Sequence, residues 1–150
     1  MTLDPTQLAA LMHVKHECLT LLRVLGLRQR ELIDAGEMTR LLELLAEKQR
    51  TIHTLQQTEQ ALDPFRQEDP AGRAWPSEAQ RLHCAGLVSR CDALLAEVLE
   101  CERLCEEMLR GRRDETARQL SDVQTVGAVH GAYTASNVST ASTLDLSVDY

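Results

Sequence analysis

A chain of 150 residues carrying a net charge of -7, with aromatics at only 3% of its residues, has the size of one domain. The acidic balance argues against a nucleic-acid binder, which needs a basic face toward phosphate, and the scarcity of aromatics favours helix-on-helix packing over a sandwich. No apolar run reaches the roughly 18 residues of a membrane span, and the opening Met-Thr-Leu-Asp-Pro lacks a basic stretch followed by an apolar one, so the expectation is a soluble, unexported, cytoplasmic protein.

The first predicted element runs from about residue 6 to 34. Leu8, Leu11, Cys18, Leu22, Leu25 and Leu32 recur at three, four or seven residues, joined by Met12, Leu19 and Ile33, which is the signature of a long amphipathic helix. Lys15 and Gln29 interrupt this stripe, and polar residues in such a seam set register or mark a thin region of core. Pro5 suits a first helical turn, with Asp4 as N-cap. Gly36 then supplies the left-handed residue that stops the helix.

A second helix is predicted from about 37 to 62 on Met38, Leu41, Leu42, Leu45, Ile52, Leu55 and Leu62. The two- or three-residue join predicts an antiparallel hairpin. Residues 63–76 hold three of the four prolines and read as a loop, pinned to the end of the helices by Phe65 and Trp75. Ser77 to Gln80 then has the form of a capping box. The third helix, about 77 to 110, carries Cys84, Leu87, Cys91, Leu94, Val98, Cys101, Cys105 and Met108 along one seam.

Gly111 reads as a kink or end, after which Ala117, Leu120, Val123, Val126 and Tyr133 form a thinner fourth segment reaching about 132. From 134 to 150 the chain is rich in Ser and Thr, which reads as a flexible tail. The predicted fold class is therefore all-α: an antiparallel, coiled-coil-like bundle of three to four long helices spanning residues 1–133, followed by the tail.

Few constellations suggest chemistry. Five cysteines without an export signal read as reduced thiols, not a disulfide framework. Cys101 and Cys105 stand one turn apart, but Cys84 and Cys105 are separated by roughly 30 Å of helix, too far to converge on one ion. The thiols are expected to be buried and unliganded. His13, His16 and Glu17 on the first helix lack the Glu-x-x-His pairing of di-iron bundles. The carboxylate pairs Glu43/Glu47 and Glu102/Glu106 read as solvated helix faces, and the Arg110, Arg112, Arg113 cluster as solvated or as a helix C-terminal cap. With no phosphate loop and no nucleophile paired to a histidine, the expectation is no enzyme, no metal and no cofactor.

Four stretches carry a resemblance to a family. They are the run from Glu17 to Leu22, Arg28-Gln-Arg-Glu-Leu-Ile-Asp-Ala-Gly36, Leu41-Leu-x-Leu-Leu-x-Glu-Lys-Gln-Arg-x-Ile52 with Leu55, and the acidic Glu97-Val-Leu-Glu-Cys-Glu-Arg-Leu-Cys-Glu-Glu107. Together they resemble FlgN-type flagellar type III export chaperones over most of residues 6–133. The resemblance implies a cytoplasmic chaperone that binds the C-terminal helical segments of hook-filament junction (hook-associated) proteins, prevents their premature assembly and delivers them to the export gate protein FlhA. On that basis Leu109, Leu120, Val123, Val126 and Tyr133 are the candidate client or gate-binding residues, Ala132-Tyr133 resembling the C-terminal Tyr of flagellar chaperones. Two alternatives stay open: the segment packs on the hairpin as a fourth core helix, or the protein is a structural coiled-coil adaptor that forms a homodimer.

Overall fold

The Asp4 carboxylate accepts a hydrogen bond from the Thr6 amide at 2.9 Å, and Pro5 opens the first helix behind it. This helix, α1 (Pro5–Ala35), ends where Gly36 adopts φ 73° and the Gly36 and Glu37 amides fold back on the Ile33 and Leu32 carbonyls. Only a residue without a Cβ takes that left-handed conformation cheaply. The computed structural model describes residues 3–145, with side chains described through residue 135. The described residues form three α-helices and one short 3-10 turn, with no strand. They divide into two compact units, Met1–Met108 and Leu109–Tyr150.

In the first unit, α2 (Met38–Gln67) doubles back along α1. Gln29 meets Lys48 and Lys15 meets Glu59, so residue number falls on one helix as it rises on the other. The expected hairpin is therefore present. The thiol of Cys91 points to the Met12 carbonyl at 4.0 Å and that of Cys105 to the Gly26 carbonyl at 3.9 Å. This common offset sets residues 78–108 of α3 (Glu78–Asp145) parallel to α1. Gly26 permits the approach, because a Cβ there would lie 3.0 Å from the Cys101 sulfur.

The buried seams follow strict three- and four-residue steps. On α3 the predicted set holds: Cys84, Leu87, Cys91, Val98 and Cys105 are buried, with Leu94, Cys101 and Met108 half-buried. On α2 the reading needs correction. Met38 and Leu42 face solvent, Leu42 at 68% exposure, while the seam runs Leu41, Leu44, Lys48, Thr51, Leu55, Thr58, Leu62, Phe65. An apolar-only reading followed the leucines and skipped the polar members. Thr51 and Thr58 are tolerated there because their hydroxyls donate to the Glu47 and Thr54 carbonyls one turn back, at 3.2 and 2.9 Å.

Three boundaries also differ. The helix α2 passes through Pro64 to Gln67, so the loop starts later than expected. Proline removes the donor to the Gln60 carbonyl, yet only one turn follows it, and Phe65 beside it is buried in the core. The connection contains a 3-10 turn, Pro70–Gly72, and Trp75 packs half-buried against the core. The α3 start matches the expected cap in part, with the Gln80 amide donating to the Ser77 hydroxyl at 3.2 Å. Finally, α3 does not stop at Gly111, so among the described residues there is no separate fourth helix. The Ser/Thr-rich stretch read as a tail begins inside α3, which is helical as far as the description reaches, to Asp145; residues 146–150 lie outside those described.

One polar layer ties the three helices. Lys48 is 5% exposed; its ammonium donates to the Gln29 side-chain oxygen at 2.9 Å and pairs with Glu102. Burial pushes the Lys48 pKa down from the ordinary lysine value, and the Cys105 and Cys101 sulfurs pull it back in part. A second polar contact joins Lys15 to Glu59 at 2.8 Å, and Arg66 reaches the same carboxylate. For Glu59, burial raises the pKa, but the hydrogen bonds from Lys15 and Arg66 outweigh it and hold the group below its usual value.

Replacing Lys48→Met should strand the buried Gln29 amide oxygen and destabilise by about 1–3 kcal/mol. The double change Gln29→Leu with Lys48→Met should recover most of that loss. Urea unfolding followed through Trp75, the single tryptophan, measures both; a neutral Lys48→Met would contradict the role of this layer.

Candidate functional site on the third helix

Past Met108 the burial pattern changes. Leu109 is half-buried, whereas Leu120, Val123, Val126, Val129 and Tyr133 are 58–68% exposed. All of them lie on α3. Large apolar side chains scattered over a surface are ordinary, and the first unit also exposes some, among them Val24, Leu42 and Leu99; five within fourteen residues of one helix are the densest such run among the described residues and suit a partner.

Helical geometry divides these residues into two faces. Successive residues turn by about 100°, so steps of three from Leu120 through Val123 and Val126 to Val129 rotate steadily around the axis. Leu109, Leu120 and Val123 fall on one side within about 60°, while Val126, Val129 and Tyr133 fall together roughly a third of a turn away. The sequence reading placed Leu109, Leu120, Val123, Val126 and Tyr133 on one stripe, and the helix separates them. It also missed Val129, whose spacing of three from Val126 and four from Tyr133 is the signal that would have found it.

Three glycines sit inside this stretch of α3. A Cβ at Gly111, Gly127 or Gly131 would meet nothing within 4 Å, so none is required by packing. The helix is weakened at each by up to about 1 kcal/mol relative to alanine. The arginine cluster does not cap a helix end, because α3 continues past it. Arg113 instead faces Asp114 at 3.4 Å, and Arg118 faces Glu115 at 3.2 Å.

Cys18, Cys84, Cys91 and Cys105 are buried free thiols and Cys101 is a half-buried one. Burial, reinforced by the neighbouring Cys101, pushes the Cys105 thiol up to about 11, which leaves it protonated and a poor nucleophile at neutral pH. Among the described residues no three His, Cys, Asp or Glu side chains converge as metal ligands. His13 stands 3.8 Å from Glu17 on an exposed face. Glu43 and Glu47 are exposed, whereas Glu102, read as a solvated partner of Glu106, reaches into the Lys48 layer. Among the described residues no helix is long and apolar enough to cross a membrane. Comparison with protein-family models, curated proteins and solved structures found no match.

Converting Gly127 and Gly131 together to Ala should stabilise this stretch by about 0.5–1 kcal/mol per site. Far-UV circular dichroism on heating should show helical signal retained to higher temperature. Earlier loss in the variant would mean that the glycines serve a contact made without a Cβ.

Proposed function

We propose that the protein is a FlgN-type flagellar export chaperone, cytoplasmic and without catalytic activity. In this reading residues 5–108 form an antiparallel, coiled-coil-like scaffold, and the segment from Leu109 to Tyr133 receives the C-terminal helical segments of hook-filament junction proteins or the export gate protein FlhA. The observation that carries it is the set Leu120, Val123, Val126, Val129 and Tyr133, apolar and exposed on one helix. Junction subunits bury their own apolar helical faces only after assembly. Before export those faces need a cover, and two amphipathic helices laid side by side provide one. The work requires differential binding alone, with no metal, cofactor or nucleophile.

The weak glycine-bearing helix supports the same reading. A segment that gains order with its partner binds less tightly per unit area and releases more readily, which suits a carrier that must hand its cargo on. A second reading is a self-associating coiled-coil adaptor, favoured by the two apolar faces of α3, either of which suits a homodimer seam.

Substituting Leu120→Asp and Val123→Asp separates the possibilities. Their side chains are exposed, so the melting temperature should stay within a degree or two. Binding to a junction-protein C-terminal peptide should fall at least tenfold, read by isothermal calorimetry. Retained peptide binding would refute the site, and a shift from dimer to monomer in sedimentation without any client binding would favour the adaptor.

A further inference from the structure

At the end of the hairpin where α3 begins, a cavity of ≈ 590 Å³ opens between all three helices and the connection. This volume lies within the range that holds small ligands. Its floor is apolar: Leu8 and Met12 from α1, Leu62 and Phe65 from α2, Cys84 from α3, with Trp75 on the rim. The only phenylalanine and the only tryptophan of the chain therefore share one cavity.

Its charges run against the rest of the molecule. In a chain of net charge -7, four cations line the cavity, Lys15, Arg66, Arg73 and Arg81, against one carboxylate, Asp92. Three of the cations already have close acidic partners. Lys15 pairs with Glu59 at 2.8 Å, Arg66 with Glu59 and Asp63, and Arg81 with Glu78. Arg73 differs: its side chain is 15% exposed, one of its nitrogens donates to the Phe65 carbonyl at 2.6 Å, and its nearest carboxylate, Glu68, stands 3.8 Å from Nε, too far for a hydrogen bond. Arg73 Nε and the facing Glu68 Oε2 are both buried without a hydrogen-bond partner, so this ion pair, unlike the other three, is not closed by a hydrogen bond. Asp92 lies eleven residues along α3 from Arg81, about 16 Å away.

The geometry points to a binding site for an apolar carboxylate, its hydrocarbon body along Leu8, Met12, Phe65 and Cys84 and its anionic head at Arg73. A guanidinium withdrawn from water binds a carboxylate through charge-assisted, paired hydrogen bonds. Two sources share this chemistry: a free fatty acid, and a protein C-terminus ending in an apolar residue.

The full-length chain should be titrated with dodecanoate while the emission of Trp75 is followed. The site predicts a saturable change at one equivalent, and at least tenfold weaker binding of dodecanol, which has the same tail without the charge. Arg73→Met should weaken dodecanoate at least tenfold. Ala85→Phe, at an exposed position on the cavity rim, should block it without touching the core. A peptide ending in free leucine, compared with its amide, identifies the source: preference for the free acid points to a chain terminus, and indifference with dodecanoate bound points to a fatty acid. No saturable change with either ligand, equal binding of dodecanol, or full binding by Ala85→Phe would overturn the site. Leu120→Asp with Val123→Asp should leave dodecanoate binding unchanged, so the two sites succeed or fail separately.

Discussion

Lys48 is the residue on which the arrangement of the first 108 residues turns. Contacts among leucines, valines and cysteines are strong in sum but indifferent to direction, and a seam stepping regularly by three and four looks much the same after a slide of one heptad. A buried ammonium is not indifferent. It must find acceptors, and the two it finds, Gln29 on α1 and Glu102 on α3, sit at one level of the stack. Sliding either helix by a heptad would leave a charge or an amide buried and unpaired, at a penalty larger than the apolar gain of any single layer. The nearby contact of Gly26 with Cys101 brings α1 and α3 close at the neighbouring level, so register and spacing are set together.

The same logic explains where the first unit stops. The three-and-four rhythm of buried and half-buried residues on α3 ends at Met108. Beyond that point apolar residues recur without that rhythm, in steps that wind around the helix. A helix with scattered apolar faces and three unpacked glycines gains little from its own chain. It gains more from a partner that supplies the missing surface, which is the physical core of the proposed chaperone role.

Sequence periodicity reached some elements and missed others for identifiable reasons. The α3 seam was legible because its members were all apolar or thiol, with no polar residue to break the pattern. The α1 cap, the Gly36 turn and the hairpin were legible because Asp, Pro and Gly each have one cheap local conformation. The α2 seam was misread because three of its eight members are Lys48, Thr51 and Thr58, whose acceptability depends on partners one turn back or on other helices. Pro64 and Gly111 looked like stops, since both weaken helices; neither outweighed the adjoining helix. In the candidate site, Leu120, Val123, Val126 and Tyr133 are surface residues as a docking role needs, but spacing of three disguised their division into two faces and hid Val129. The cationic cavity was illegible altogether, because its residues come from four separate stretches of chain.

The central claim is that residues 5–108 pack their seam residues against one another, whereas the apolar run from Leu120 to Tyr133 is left exposed for a partner. Amide hydrogen exchange on the full chain, alone and with a junction-protein C-terminal helix, tests it most directly. The account predicts slow exchange through both hairpin helices and residues 78–108, fast exchange at 112–133, and strong new protection confined to 112–133 when the helix is added. Uniformly slow exchange through residue 133 in the free protein, or protection by the added helix confined to the hairpin, would contradict it.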